Sequence, residues 1–383
     1  MHSCGFRFLV TVALAGVAFM KCATAQSHII TQVLSLDNPP AMDTVIAQLA
    51  DKRVVFIGEI HDRYDHHLNQ LEIIRGLHKF HPDLAIGVEY FPQQFQPQVD
   101  DYITGRITED QFLRAVDYYR TWGYDYRLYA PVFRFAREQR IAVRALNIPG
   151  SIVSAVYKVG IKGLSEQQRA SLPREIEPAD EGYKERLRSA FEEHQSTKRD
   201  AFDHFVEAQL VWDESMASSA AQYLTANPGR QLVILAGAGH IAFGSGIPSR
   251  LERRVHASYA IVLNSGVAIE PRIADYILLS SNQALPPAGV LGVKLEEKGG
   301  ECRIRSLDPA GAAEKAGLKD GDVIVDIDGE PVTKTEDVRI ALWKKKPGES
   351  VLVHIRRGRR SGTNETRDFE IELAAPANTD GKP

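Results

Sequence analysis

The chain has 383 residues, of which 44% are hydrophobic and 25% charged, and its formal net charge is −4. That length allows two domains, and the composition is that of a soluble globular protein. No basic block is present, so nothing in the sequence points to nucleic acid or to an anionic membrane surface.

Arg7 precedes an apolar run over residues 8–20, and Ala23-Thr24-Ala25 forms a small-residue box before Gln26. The run is short for a bilayer span, so residues 1–25 read as a secretory signal removed near Ala25. The rival, a lipoprotein signal ending at Cys22, has Lys21 as an unsuitable residue before the modified cysteine. The expected product is a soluble protein, periplasmic or secreted. Cys4 and Cys22 leave with the signal, and Cys302 alone forms no internal disulfide. It reads as a small buried apolar residue in a strand.

Residues 42–50 read as a short helix leading into a first strand at 53–57, which Gly58 closes. Leu68, Leu71, Ile74 and Leu77 then recur at helical spacing until His81-Pro82. A second strand is expected at 84–88, capped by Glu89 and Tyr90. Helices follow across 94–102, 109–119 and 128–139, and a third strand at 141–146 closes on Asn147-Ile148-Pro149. Residues 165–188 are charged, contain Pro173 and Pro178, and read as an exposed excursion. A long helix runs from about 197 to 226, then a fourth strand at 231–235 ends in Ala236-Gly237-Ala238-Gly239-His240. Short runs at 259–263 and 276–279 complete the sheet. Strands alternating with helices predict an α/β fold with a largely parallel sheet and flanking helices.

Parallel strands put their carboxyl ends on one edge, where open α/β sheets place ligands. Glu59 and His61, Glu89, Asn147 and His240 all fall at such ends, with Asp62, His66 and His67 close behind. Their convergence predicts a site. Gln209 and Asp213 lie four residues apart within the apolar stripe of the long helix. A buried carboxylate there needs a partner, so the two either brace the strand-end loops or line the pocket. Residues 117–129, DYYRTWGYDYRLY, hold five tyrosines and Trp122 beside Arg120 and Arg127. Leu285-Pro286-Pro287-Ala288-Gly289 then breaks the pattern, and a smaller domain of short strands with Gly-Asp and Asp-Gly turns follows. The expected organisation is a signal at 1–25, an α/β domain at 26–284, a small mainly-β domain at 285–375 and a polar, disordered tail at 376–383.

Five stretches carry a resemblance. These are GEIHD at 58–62 with HHLNQ at 66–70, GVEYF at 87–91, YAPVFRFAREQRIAVRALNIP at 129–149, QLVWDESMA at 209–217 and GAGHIAFGSGIP at 237–248. Together they resemble the ChaN-like haem-binding domain of the Tiki/TraB/erythromycin-esterase superfamily. VLGVKL at 290–295, PAGAAEKAGLKDGDVIVDIDGEPV at 309–332 and KPGESVLVHIRRG at 346–358 are similar to a bacterial PDZ domain. In that likeness the loop of Leu291, Gly292 and Val293 receives a peptide's terminal carboxylate, and the adjacent strand edge pairs with the peptide backbone. No Gly-x-Ser-x-Gly elbow accompanies it.

The first resemblance implies haem binding in iron uptake or haem handling, with a ligand-bridged homodimer. The ligand-contacting residues it implies are Glu59, His61, His67, Tyr118, Tyr119, Tyr124, Tyr126, Asn147, Gln209, Asp213 and His240. Haem iron takes tyrosine or histidine ligands, and arginines here would hold the propionates. The same superfamily supports an alternative, a metal-dependent hydrolase or protease with the PDZ domain recruiting substrate. In it Glu59, His61, Glu89 and His240 are catalytic, and His61, His240 and Glu59 ligate Mn, Co or Zn.

Overall fold

The computed structural model describes residues 37–192, 201–358 and 364–376. The expected signal segment, its cleavage site and all but the first residue of the expected tail lie outside these residues. In chain order the first part contains α1 (Met42–Ala50), β1 (Val54–Glu59), α2 (Tyr64–Phe80), β2 (Ala85–Pro92), α3 (Gln96–Ile103) and α4 (Glu109–Ala115). It continues through α5 (Tyr118–Thr121), α6 (Tyr126–Gln139), β3 (Ala142–Asn147), α7 (Gly150–Val159), α8 (Glu166–Ala170) and α9 (Glu181–Glu192). The long α10 (Ala201–Ala226), β4 (Leu232–Gly237), α11 (Ile247–Arg254), β5 (Tyr259–Asn264) and β6 (Tyr276–Leu278) complete it.

The six strands form one sheet in the order β3-β2-β4-β1-β5-β6, and every pairing is parallel. Strands β1, β2 and β4 are buried at every position, which is why they read as unbroken apolar runs rather than alternating ones. Successive side chains point to opposite faces. Val55 and Ile57 therefore join the core beneath α1, α2 and α6, while Val54 and Phe56 join the one beneath α10 and α11. Glu59 pairs with Gly237 across β1 and β4, so these two strands end level.

Three details differ from the sequence reading. Strands β1, β2 and β3 run further than predicted, so Glu59, Glu89 and Asn147 belong to the strands rather than to the loops beyond them. Polar residues are tolerated there because each finds hydrogen-bond partners. The helix expected over 109–119 breaks, because Asp117 adopts a left-handed backbone with φ of 49° and separates α4 from α5. The stretch expected to be an exposed excursion holds α8 and the start of α9, and Tyr183 in it is buried.

The second part consists of β7 (Val293–Lys298), β8 (Glu301–Leu307), α12 (Ala312–Ala316), β9 (Val323–Ile327) and β10 (Glu330–Pro331). After these come α13 (Thr335–Leu342), β11 (Ser350–Gly358) and β12 (Asn364–Glu372). They form an antiparallel sheet in the order β12-β11-β9-β8-β7, with β10 on β9 and β7 at an edge. Its core has Ile304, Ile324, Val353 and Ile371, and Cys302 is buried among them in β8 as expected. Burial, with Glu297, Asp337 and Glu336 adding to it, pushes that thiol up to about 12. Ile340 and Trp343 do not join this core but pack with the α/β core instead. No helix among the described residues is long and apolar enough to cross a membrane.

Candidate functional site

The ends of β1, β2 and β4 bring two histidine–carboxylate pairs together. Glu59 is the last residue of β1 and only 2% exposed. Its Oε1 accepts from His61 Nδ1 at 3.0 Å, and its Oε2 accepts from Gln70 Nε2 at 2.6 Å and Tyr90 hydroxyl at 3.0 Å. His67 Nδ1 lies 3.4 Å from the same Oε2. Burial alone would raise this carboxyl, but the field of His67 and the bonds from His61 and Gln70 hold it below its ordinary value. His61 moves the other way. Burial opposes its charge, and the Glu59 bond and the fields of Glu89 and Glu59 outweigh that and raise it.

The second pair sits beside the first. Glu89 accepts the Gly237 amide at 2.7 Å and lies 3.5 Å from His240 Nε2. His240 Nδ1 donates to Asp213 at 2.6 Å, and Asp213 also accepts the Tyr183 hydroxyl at 2.7 Å. Despite burial, Glu89 and Asp213 raise the imidazole to about 9. The close approach of the strands matters here. A Cβ at Gly237 would stand 2.9 Å from His61 Cε1, and one at Gly246 only 2.1 Å from the His240 carbonyl oxygen.

An aromatic wall covers the first pair. His61 meets Trp122 edge-on at 4.9 Å between ring centroids and Tyr124 at 5.0 Å, and Trp122 and Tyr124 are 5.5 Å apart. Tyr129 closes the inner side, with its hydroxyl donating to the His61 carbonyl at 3.2 Å and its ring 4.4 Å from His67. Trp212 lies 5.6 Å from His240 across the second pair.

Most of the predicted residues therefore meet, in different capacities. Asn147 braces, since its side chain donates to the Glu89 carbonyl and accepts from the Ile148 amide, both at 2.8 Å. His67 is buried and donates through Nε2 to the His61 carbonyl at 3.0 Å. Gln209 is half-buried one turn before Asp213. Of the four tyrosines, Tyr118, Tyr119 and Tyr126 are core residues, and Tyr124 alone is open, at 37% exposure. Sequence reading misses Tyr183, whose burial depends on α9 folding back on α10, and Tyr90, which β2 points at Glu59.

The divalent-metal expectation finds no support. Among the described residues no group of three or more His, Cys, Asp and Glu has an arrangement that holds a metal ion. At His240 both ring nitrogens face carboxylates, Nδ1 at 2.6 Å from Asp213 and Nε2 at 3.5 Å from Glu89. His61 and Glu59 are likewise turned on one another.

Comparison with known proteins bears on the fold. A structure described as cofacial heme binding to ChaN of Campylobacter jejuni matches with a TM-score of 0.51 at 18% identity, covering 62% of this chain and 91% of that one. A mutant of the erythromycin esterase EreC matches with a TM-score of 0.37 at 15% identity, covering 58% and 72%. Protein RETICULATA-RELATED 5, chloroplastic, of Arabidopsis thaliana is 26% identical over 237 residues, 56% of this chain. The chain spans only 31% of that relative's length. Residues 289–373 match the PDZ domain model, so the antiparallel sheet is a PDZ domain. Residues 45–251, more than half of the chain, match the model for haem-binding uptake proteins of the Tiki superfamily, ChaN, and the chain belongs to that family.

Proposed function

We propose that this protein is an exported haem-binding protein that serves iron or haem uptake or handling, and that its PDZ domain holds a peptide or protein carboxyl terminus. The observation that carries the haem reading is Tyr124, an exposed phenol whose ring lies tilted against Trp122 and His61 at the carboxyl edge of a ChaN-family sheet. The residues fit the group. A porphyrin needs a broad aromatic face and one oxygen or nitrogen donor within reach of solvent, and haem when bound supplies a ferric iron that accepts such a donor. Tyr124 would provide the donor and Trp122 the face. Arg127 is committed to Asp125 and to the Pro286 carbonyl, which leaves exposed Arg120 for a propionate. The homodimer implied by the family likeness would place two such faces together.

Haemin titration of the full chain, followed by absorption, tests this. The wild type should bind with a phenolate-to-iron charge-transfer band. Tyr124→Phe should lose that band, whereas Tyr118→Phe, Tyr119→Phe and Tyr126→Phe should keep it. A wild-type protein that binds no haemin overturns the reading. Export is checked separately by intact mass of the native protein, which should begin at Gln26.

A further inference from the structure

The aromatic wall is the least self-supporting element of the site. It lies on the segment from Asp117 to Asp125, which contains the four-residue α5, a left-handed Asp117 and Gly123 at φ of 86°. A single helical turn does not hold its own shape, because nucleating a helix costs more than one turn returns. Tyr90 and Tyr129 pack on Trp122 from the α/β side, at 5.3 and 6.3 Å between ring centroids, and the backbone of the segment needs a hold of its own.

The PDZ helix α13 meets this segment and both its flanks. Lys334 reaches Asp117 at 2.5 Å, and the Arg339 guanidinium lies 4.6 Å over the Tyr119 ring. On the α4 side, Arg114 pairs with Asp337, the carboxylate that also accepts the Thr333 and Lys334 amides at the start of α13. Asp110 accepts from Trp343 Nε1 at 2.7 Å and from Lys344 at 2.8 Å. On the α6 side, the Tyr126 ring meets Trp343 edge-on at 5.1 Å, with Arg134 5.3 Å over the same indole. Ile340 of α13 and Trp343 just after it are 4% and 5% exposed, although both belong to the PDZ domain. The contacts bracket residues 122 and 124 from before and behind in the chain, and none of them engages His61 itself.

We propose that α13 and the Trp343 that follows it are a positioning element of the ligand site: Arg339 holds the Asp117–Asp125 segment at Tyr119 and Trp343 fixes its two flanks at Asp110 and Tyr126, so that Trp122 and Tyr124 stand over His61. For its ligand this inference rests on the haem reading. For its mechanics it does not. The PDZ domain is then part of the haem wall as well as a peptide module. Two of these contacts, Lys334 with Asp117 and Arg339 with Tyr119, fall on the segment itself, and the others fix α4 and α6, the two elements from which it is strung.

The experiment uses the full chain and four variants: Arg339→Ala, Arg339→Lys, Trp343→Ala and Trp343→Phe. Hydrogen exchange is read over residues 117–125, with β1 and β4 as internal controls. Haemin affinity and the tyrosinate band are read in parallel. Arg339→Ala and Trp343→Ala should speed exchange of 117–125 about tenfold and leave β1 and β4 unchanged. They should weaken haemin at least about fivefold and diminish the tyrosinate band. Trp343→Phe should largely restore both, whereas Arg339→Lys, which keeps charge but loses the planar stack, should restore little. Arg339 is exposed, so its variants keep the test alive if Trp343→Ala does not fold. Unchanged exchange at 117–125 in a folded variant overturns the proposal. So does faster exchange with wild-type haemin affinity and spectrum, because the clamp would then be structural only. If the wild type binds no haemin, the haem reading falls and the exchange data alone decide the clamp.

Discussion

The site's electrostatics are set residue by residue, and His240 shows how. Its ring stands between Asp213 and Glu89, which raise it to about 9 from an ordinary 6.5. A group whose folded value lies above its unfolded one contributes stability fully below the unfolded value and loses it as pH rises through the folded one. The His240 contribution is therefore complete below about 6.5 and gone above about 9. Each tenfold change in a proton-binding equilibrium is worth about 1.4 kcal/mol, so the contribution is a few kcal/mol at most. Thermal melts of the wild type between pH 6 and 10 should show that loss, and Asp213→Asn should flatten the profile. Parallel profiles for the two proteins would sink the assignment. Tyr124 feels the same negative field. Burial first, then Asp62, Glu89 and Glu59, raise its phenol, so it is protonated at neutral pH unless a cation takes the proton's place.

At the scale of elements, what is legible in the sequence is local. The apolar runs of β1, β2 and β4 announce strands buried on both faces, and the glycine and histidine after them mark the edge where ligands sit. The strand ends are misread because Glu59, Glu89 and Asn147 look like loop residues until their partners are known. Tyr183 is not legible, since its contact with Asp213 depends on α9 packing against α10 through a charged, proline-bearing stretch. The α4–α5 break is hidden for a related reason. Asp117 takes a left-handed backbone between the two helices while its carboxylate pairs with the distant Lys334, a partner no local pattern shows. The end of β4 supplies the test at this scale. Gly237→Ala places a methyl 2.9 Å from the His61 ring, and that ring is a movable side chain rather than backbone. The strand should therefore survive with a loss of about 1–2 kcal/mol, while His61 turns away from Glu59 and haemin weakens by about tenfold or more. Melting temperature and haemin titration on the same sample separate the two effects. An unaltered haemin affinity would mean that the His61 pose is irrelevant to the ligand.

Across the whole molecule the two sheets are joined by contacts that no local pattern shows, such as Arg114 with Asp337, 223 positions apart. Both sheets are legible by themselves, but their mutual surface is not, because α13 reads as an ordinary amphipathic helix whichever neighbour covers it. That surface changes what an isolated PDZ domain should do. Cut free at Pro287, it would expose Ile340 and Trp343, which are buried in the full chain. The fragment should therefore fold with lower stability than the same domain has in place. Its peptide edge should be intact, since β7 ends the sheet among the described residues and Gly292, at φ of 71°, shapes the loop before it. Peptides with a free carboxylate should then bind fragment and full chain, and their amides should not, because the loop amides have an anion to receive only in the acid. The two proteins should nonetheless differ in affinity. One face of α13 belongs to the PDZ core through Val338 and Leu342, while Ile340 and Trp343 on another are held by the α/β core. A helix fixed on both sides yields less to an incoming peptide, and by linkage a peptide that does shift it must alter haemin affinity by the same factor that haemin alters its own. Fluorescence polarisation of one labelled peptide, acid and amide, against fragment, full chain and haemin-loaded full chain measures all of this. Equal affinity for acid and amide would dismiss carboxylate capture, and identical affinity with and without haemin would show that the two sites share a helix but no energy.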